Sequence, residues 1–242
     1  MNDLVPASKV QSLPRSSPLR KVHTWVEDYL AQKDPRLGRP TAVCPHIPGA
    51  LRDDTIWYAL VDGVSDPASI ERAVCHYFEV FRQLGNSQND AIILVFPDVP
   101  EDQAEYLIDG VQQRLKATFV EAGMMIGELH PQNRTPSASN PDVFPNQTPV
   151  PVLAIRYQVP GSDLKFLRPG DPMLRLRWVL AHAKEAQRRV PPKKRPVWET
   201  LESTVERLLD HELAALAESG EPEAASAPES HLCEPDGPPS EL

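Results

Sequence analysis

Ala91-Ile92-Ile93-Leu94-Val95-Phe96, stopped by Pro97, is the stretch on which the fold turns. A half-exposed strand alternates apolar and polar residues. Six apolar residues in a row therefore predict a strand buried on both faces, central in a sheet with helices on either side. Upstream, Asp66-Pro67 opens a segment whose Ile70, Val74, Tyr77, Phe78, Phe81 and Leu84 recur at helical spacing and which ends near Gly85. Before it, Thr55–Val61 (TIWYALV) is β-branched and aromatic, as strands are. Asn86–Asp90 reads as a polar loop.

Downstream, Ala104, Leu107, Ile108, Val111, Leu115 and Phe119 mark the buried face of a helix over 101–121. Gly123 closes it and Met124–Leu129 (MMIGEL) follows as a strand. Gly127 within it suggests a bulge or a close backbone approach. Val152–Tyr157 (VLAIRY) is the last clear strand, reached across a long loop over 130–151. The resulting order, β-α-β-α-β-loop-β, predicts an α+β domain with a ferredoxin-like split β-α-β core, provided the last two strands pair antiparallel. A doubly wound sheet competes, but it calls for more parallel units and a glycine-rich first turn.

The flanks are simpler. Residues 1–18 are rich in serine and proline and read as a disordered leader. Leu19–Gln32 reads as an amphipathic helix, and two more helices are expected, one opened by Pro172 and one running from Trp198 through Leu213. Residues 218–242 carry seven acidic residues and no lysine or arginine. That segment reads as a disordered acidic tail, leaving one domain over 19–217.

The chain has 242 residues, a net charge of −9 and 27 prolines. Most of the charge sits in the tail, so the body is nearly neutral and offers no electrostatic footprint for nucleic acid. Three cysteines, Cys44, Cys75 and Cys233, do not form a disulfide framework. Their sparsity points to a reducing cytoplasm. Cys75 is expected in the core and Cys233 inert in the tail. No apolar run is long enough to cross a membrane, and the N-terminus has no signal-peptide pattern.

The familiar phosphate-binding, hydrolase and metalloprotease motifs are absent. The loop over 130–151 draws the first functional expectation. Its prolines at 136, 141, 145, 149 and 151 lower the entropy cost of holding one shape. It can hold His130, Asn133, Arg134, Thr135 and Asn140 around a ligand, or serve as a stiff cover over the sheet edge. His130 follows a strand, where functional residues of α/β proteins collect, and is either a base, a metal or haem ligand, or a structural loop histidine. Glu128 would share its face if the strand continued, and the two could share a proton.

Arg156, inside an apolar strand, needs a partner. Either a carboxylate or phosphate ligand supplies it or Glu128 does. Asp163 is a lower-ranked ligand-binding candidate. Cys44-Pro45-His46 is the second locus. Cys44 is a buried hydrophobe, a nucleophile, or a haem or metal ligand. The segment from Lys184 to Arg195 has six basic residues and reads as a solvated helix end.

These residues resemble an uncharacterised actinobacterial family, a domain of unknown function often encoded among specialised-metabolism genes. The resemblance rests on Cys44-Pro45-x-x-Pro48-x-x-Leu51, on Met125-Ile126-Gly127-x-x-His130-Pro131 and on Pro149-Val150-Pro151-x-Leu153-Ala154-Ile155-Arg156. It also takes in Asp163-Leu164-x-Phe166-Leu167 and, approximately, Asn140-Pro141-x-x-Phe144-Pro145. It covers roughly residues 40 to 170. Where this chain has His46, the similar proteins are expected to carry an aromatic residue. The resemblance implies one domain and supplies no reaction.

The expected function is therefore a small-molecule enzyme or ligand-binding protein of specialised metabolism, with catalytic candidates His130, Glu128 and Cys44. Its ligand-binding candidates are Arg156, Asn133, Arg134, Asn140 and Asp163. The alternatives are an interaction module presenting the proline-rich loop, and a haem or metal protein using Cys44 or His130.

Overall fold

β3 (Ala91–Val95) occupies the middle of the sheet, as its apolar run demands. The computed structural model describes residues 4–84, 89–219 and 233. Its sheet is completed by β1 (Val5–Pro6), β2 (Ile56–Leu60), β4 (Met124–Leu129) and β5 (Val152–Tyr157), in the order β1-β2-β3-β5-β4. β2 and β3 are parallel and every other pair is antiparallel.

The fold is a mixed α+β arrangement, and β4 and β5 do pair antiparallel, but it is not the expected ferredoxin-like core. That core needs a gap between the two strands of its β-α-β crossover, into which a third strand inserts. Here β2 and β3 are hydrogen-bonded neighbours, Tyr58 opposite Ile93, so there is no gap to fill. Register also runs unbroken through Gly127, which pairs with Ala154, so the expected bulge is absent.

Each face of the sheet is read off this register. Ile56, Tyr58, Ile93, Val95, Leu129, Val152 and Ala154 point to one side. There they pack on Ala7 and Val10 of α1 (Ala7–Val10), on Leu19 and Val22 of α2 (Pro18–Trp25), with Val26 from the π turn that prolongs α2 through Leu30, and on Ala50 of α3 (Ile47–Arg52). α4 (Pro67–Leu84) covers the other side, where the rings of Phe81 and Tyr157 lie 4.7 Å apart. Burying apolar groups on both faces explains why β3 tolerates no polar residue.

The N-terminal segment corrects the expectation of a disordered leader. Val5 and Pro6 pair with Tyr58 and Trp57, and Val10 is fully buried. Ser8 donates from its backbone N–H and its hydroxyl to the two carboxylate oxygens of Asp54, at 2.9 and 2.6 Å. A two-residue strand and a four-residue helix are too short for periodicity to reveal.

Contacts divide the chain into two compact units, and the domain drawn over 19–217 contains parts of both. Met1–Lys116 with Met124–Tyr157 holds the sheet, and Ala117–Gly123 with Gln158–Leu242 forms the second unit. The second is built on α6 (Pro172–Arg189) and α7 (Arg195–Ser219). Asp171 caps α6, accepting from the backbone N–H groups of Met173 and Leu174 at 2.8 and 3.2 Å. Lys184 on α6 lies 3.8 Å from Glu202 and 3.3 Å from Glu206 on α7.

His182 is buried within this unit. Its Nε2 accepts from the Gly161 N–H at 3.3 Å, so Nδ1 carries the proton and donates to Gln158 Oε1 at 2.7 Å. Burial lowers its pKa. Within the basic segment residues 191–195 are exposed throughout, whereas Arg189 is only 14 % exposed and pairs with Glu185. The tail drawn from 218 and the polar loop at 86–88 lie outside the described residues, Glu218, Ser219 and Cys233 excepted.

Candidate functional site

The helical stretch after β3 changes pitch twice. A 3-10 turn over Glu101–Gln103 is followed by a π turn over Glu105–Asp109, and only then by α5 (Gly110–Glu121). A π turn takes up an extra residue and changes the direction in which the following side chains leave the helix. Asp109, the last residue of that turn, faces the residue that follows β4.

That residue is His130. Its backbone N–H donates to Asn146 O at 3.2 Å, and its carbonyl accepts from the Asn133 N–H at 3.0 Å. The ring is 2 % exposed, with Nε2 lying 3.2 Å from Asp109 Oδ1 and 3.3 Å from Oδ2. A carboxylate partner places the proton on Nε2 and leaves Nδ1 a bare acceptor. Nδ1 is buried and has no hydrogen-bond partner.

Glu128, at the end of β4, completes the cluster. Burial raises its pKa, with a further push from the Asp109 charge, against the lowering influence of Lys116 and His130. Burial likewise raises Asp109, opposed by His130. Two carboxyls held near each other, both biased toward the protonated form, can divide acid and base roles between them. His130 acts on Glu128 electrostatically, while its direct partner is Asp109, a residue that carries no signal in the sequence. The order of exposure is also informative. The Asp109 side chain is 21 % exposed and His130 is 2 %, so Asp109 is the more accessible of the two although its Oδ1 is buried.

The long loop is folded inward. Asn133 accepts from the Thr135 N–H at 2.9 Å through Oδ1, and its carbonyl takes Gln147 Nε2 at 3.1 Å. Asn140 donates to Arg36 O at 2.8 Å and accepts from the Asp142 N–H at 2.9 Å. Arg134 lies over the Phe144 ring, 5.9 Å from its centroid. Val143 is buried in a small cluster with Leu37 and Val43. Asn133 and Asn140 therefore help to hold the loop's own shape.

Arg156 and Glu128 do not meet as the sequence reading allowed. Arg156 pairs with Met125 and Glu128 with Leu153, which puts the two on opposite faces of the sheet and at different heights along it. Arg156 Nη1 donates to Tyr157 O at 2.8 Å. Asp163 belongs to the second unit, where its carboxylate accepts from the Val159 N–H at 2.7 Å and stabilises a turn. Among the described residues, no group of three or more His, Cys, Asp or Glu side chains is placed to hold a metal ion.

Cys44 lies half-buried in a turn, its N–H donating to Leu30 O at 2.9 Å. It is a free thiol, whereas Cys75 and Cys233 are disulfide-bonded, which corrects the expectation of a plain core cysteine and an inert tail one. The native, unreduced chain should therefore titrate one thiol with a thiol-specific disulfide reagent, rising to three after denaturation and reduction. Three thiols before reduction would rule out the oxidised state of Cys75 and Cys233.

One further buried polar group escaped the sequence reading. His23, fully buried, lies with Nδ1 3.0 Å from the Tyr58 hydroxyl and Nε2 3.4 Å from Glu27. Burial lowers the His23 pKa and raises that of Tyr58. His23 sits on the apolar face of α2, so its position alone reads as helix surface or core and carries no chemical signature.

A mixed α+β protein with a carboxyl pair backed by a buried histidine at one end of a strand is the class that fold and site define. Residues 19–195 match the DUF6875 domain of unknown function, and the chain belongs to that family. No curated protein and no solved structure matches it.

Proposed function

We propose that this protein binds a small organic molecule beside Asp109 and Glu128 and exchanges a proton with it there. The observation that carries this reading is the pair of carboxyls whose pKa values are both raised by burial, with His130 fixed beside Asp109. Burying ionisable groups without a strong counter-charge is unfavourable for folding, and such arrangements concentrate where proton transfer is needed. Asp109 is the group in contact with the ligand, Glu128 its partner in sharing the proton, and His130 a positioning residue. The motif resemblance adds a setting, specialised metabolism in actinobacteria, in which the molecule would be a biosynthetic intermediate.

A screen of a defined library of small organic acids, amines and alcohols by thermal shift, on the full chain, tests the reading. Compounds that raise the melting temperature should lose their effect in Asp109→Asn while keeping it in Arg156→Ala, since Arg156 lies elsewhere. Shifts that survive Asp109→Asn and Glu128→Gln alike would overturn it.

A further inference from the structure

The Cys44-Pro45-His46 locus plays no part in the site above, yet Pro45 lines a surface cleft. Residues 42–44 run antiparallel to 30–33, with a bridge between Lys33 and Ala42 and the Val43 N–H donating to Gln32 O at 2.8 Å. Above this short ladder lies a cleft of about 580 Å³, within the range of small-molecule sites. Its walls include Pro40, Pro45 and Pro48, and Gln32, Lys33 and Thr41 supply the polar lining.

Charge decides what such a cleft would take. Residues 31–48 contain Lys33, Arg36 and Arg39 against a single acidic residue, Asp34, in a chain whose net charge is −9. Asp34 is already engaged by Arg36, whose Nη2 lies 2.6 Å from its Oδ2. That leaves two cations over. Arg39 donates from Nη2 to Val43 O beside the cleft wall, and its buried Nε–H has no acceptor. Lys33 lines the cleft itself and is exposed. Proline rings present flat apolar faces of the kind on which planar rings stack, and an unmatched ammonium at the rim favours a negative group.

We propose that this cleft binds a small organic anion with a flat apolar body, an aromatic carboxylate being the simplest form. The ring lies between the prolines and the carboxylate pairs with Lys33. The site is separate from the Asp109–Glu128 cluster and does not depend on how that cluster is read.

The test uses 2-naphthoate, with 2-naphthylmethylammonium as the charge-reversed probe, titrated into the full chain and followed by ligand-observed NMR. 2-Naphthoate should bind saturably and the ammonium probe should not. Lys33→Glu should weaken 2-naphthoate binding by about five-fold or more, the scale of one exposed ion pair lost and reversed. Lys33→Arg should retain it. Lys33 is exposed, so these variants are expected to fold, and circular dichroism checks that they do. Absence of saturable 2-naphthoate binding, equal binding of both probes, or indifference to Lys33→Glu would each overturn the proposal.

Discussion

Gly123→Ala is expected to lower the melting temperature by roughly 5–15 °C, the equivalent of about 2–4 kcal/mol in a chain of this size. Gly123 ends α5 with φ at +75°, a backbone conformation that costs an L-residue about 1–2 kcal/mol. It is also tightly enclosed. A Cβ placed there would sit 2.7 Å from Glu185 Cγ and 2.8 Å from its Cδ. Glu185 cannot swing away freely, because Arg189 and Arg188 both hold its buried carboxylate. The backbone is fixed too, since the Gly123 carbonyl accepts from the Gln158 N–H at 2.9 Å.

Gly161→Ala separates the two costs. Gly161 lies in the same unit with φ at +81°, but nothing would approach its Cβ within 4 Å. It should show the conformational cost alone and a drop well short of that in Gly123→Ala. Glu185→Ala introduced into Gly123→Ala should recover part of the difference beyond the effect of Glu185→Ala by itself. Equal melting temperatures for the two glycine variants would show that Glu185 gives way.

Gly123 was legible in the sequence as a helix stop, because the apolar repeat ends at Phe119 and a glycine follows. Its steric enclosure was not, since Glu185 is remote in sequence. The same division runs through the whole chain. Segments with a repeat long enough to show a period, such as Ile70–Leu84, or with an unbroken apolar run, such as Ala91–Phe96, were read where they stand. The pairing order was not legible. Local pattern says which face of β5 is buried but not which neighbour it takes, and β5 inserts between β3 and β4.

The candidate site divides in the same way. His130 and Glu128 stood out because they flank the end of a strand. Asp109 did not, because a regular helix through Leu107, Ile108 and Val111 carries residue 109 off the buried face. The π turn that redirects it has no sequence signature of its own. The loop contacts of Asn133 and Asn140 were hidden for a related reason. A polar residue in a proline-rich loop looks available until its backbone partners are known, and here those partners belong to the loop and to Arg36.

Glu128→Gln is expected to make the chain more stable at pH 8 while abolishing ligand-dependent proton exchange at the Asp109 site. In the folded chain burial holds the Glu128 pKa above its ordinary value of 4.5. The folded state therefore binds more protons than the unfolded one between the two values. The stability this group contributes is fully present below the unfolded pKa and is lost as pH rises through the folded pKa. At pH 8 the wild type carries the whole penalty of a desolvated carboxylate, made worse by the neighbouring Asp109 charge. Glutamine keeps the shape and cannot ionise, so the variant should gain roughly 0.5–2 kcal/mol, the usual return from relieving a strained functional site.

The gain should vanish at about pH 4, where Glu128 is protonated in the wild type as well. The difference between the two chains must therefore grow with pH. His23 and His182 do not imitate this trend. Their lowered pKa values make the folded state lose stability as pH falls below their ordinary 6.5, in both chains alike, and that cancels in the difference. Chemical denaturation of both chains at a series of pH values measures the stability difference. A variant less stable than the wild type at pH 8, or a difference that does not change with pH, would mean that Glu128 is ionised and well compensated in the folded chain. The carboxyl pair would then be a structural ion cluster and not a place where protons move.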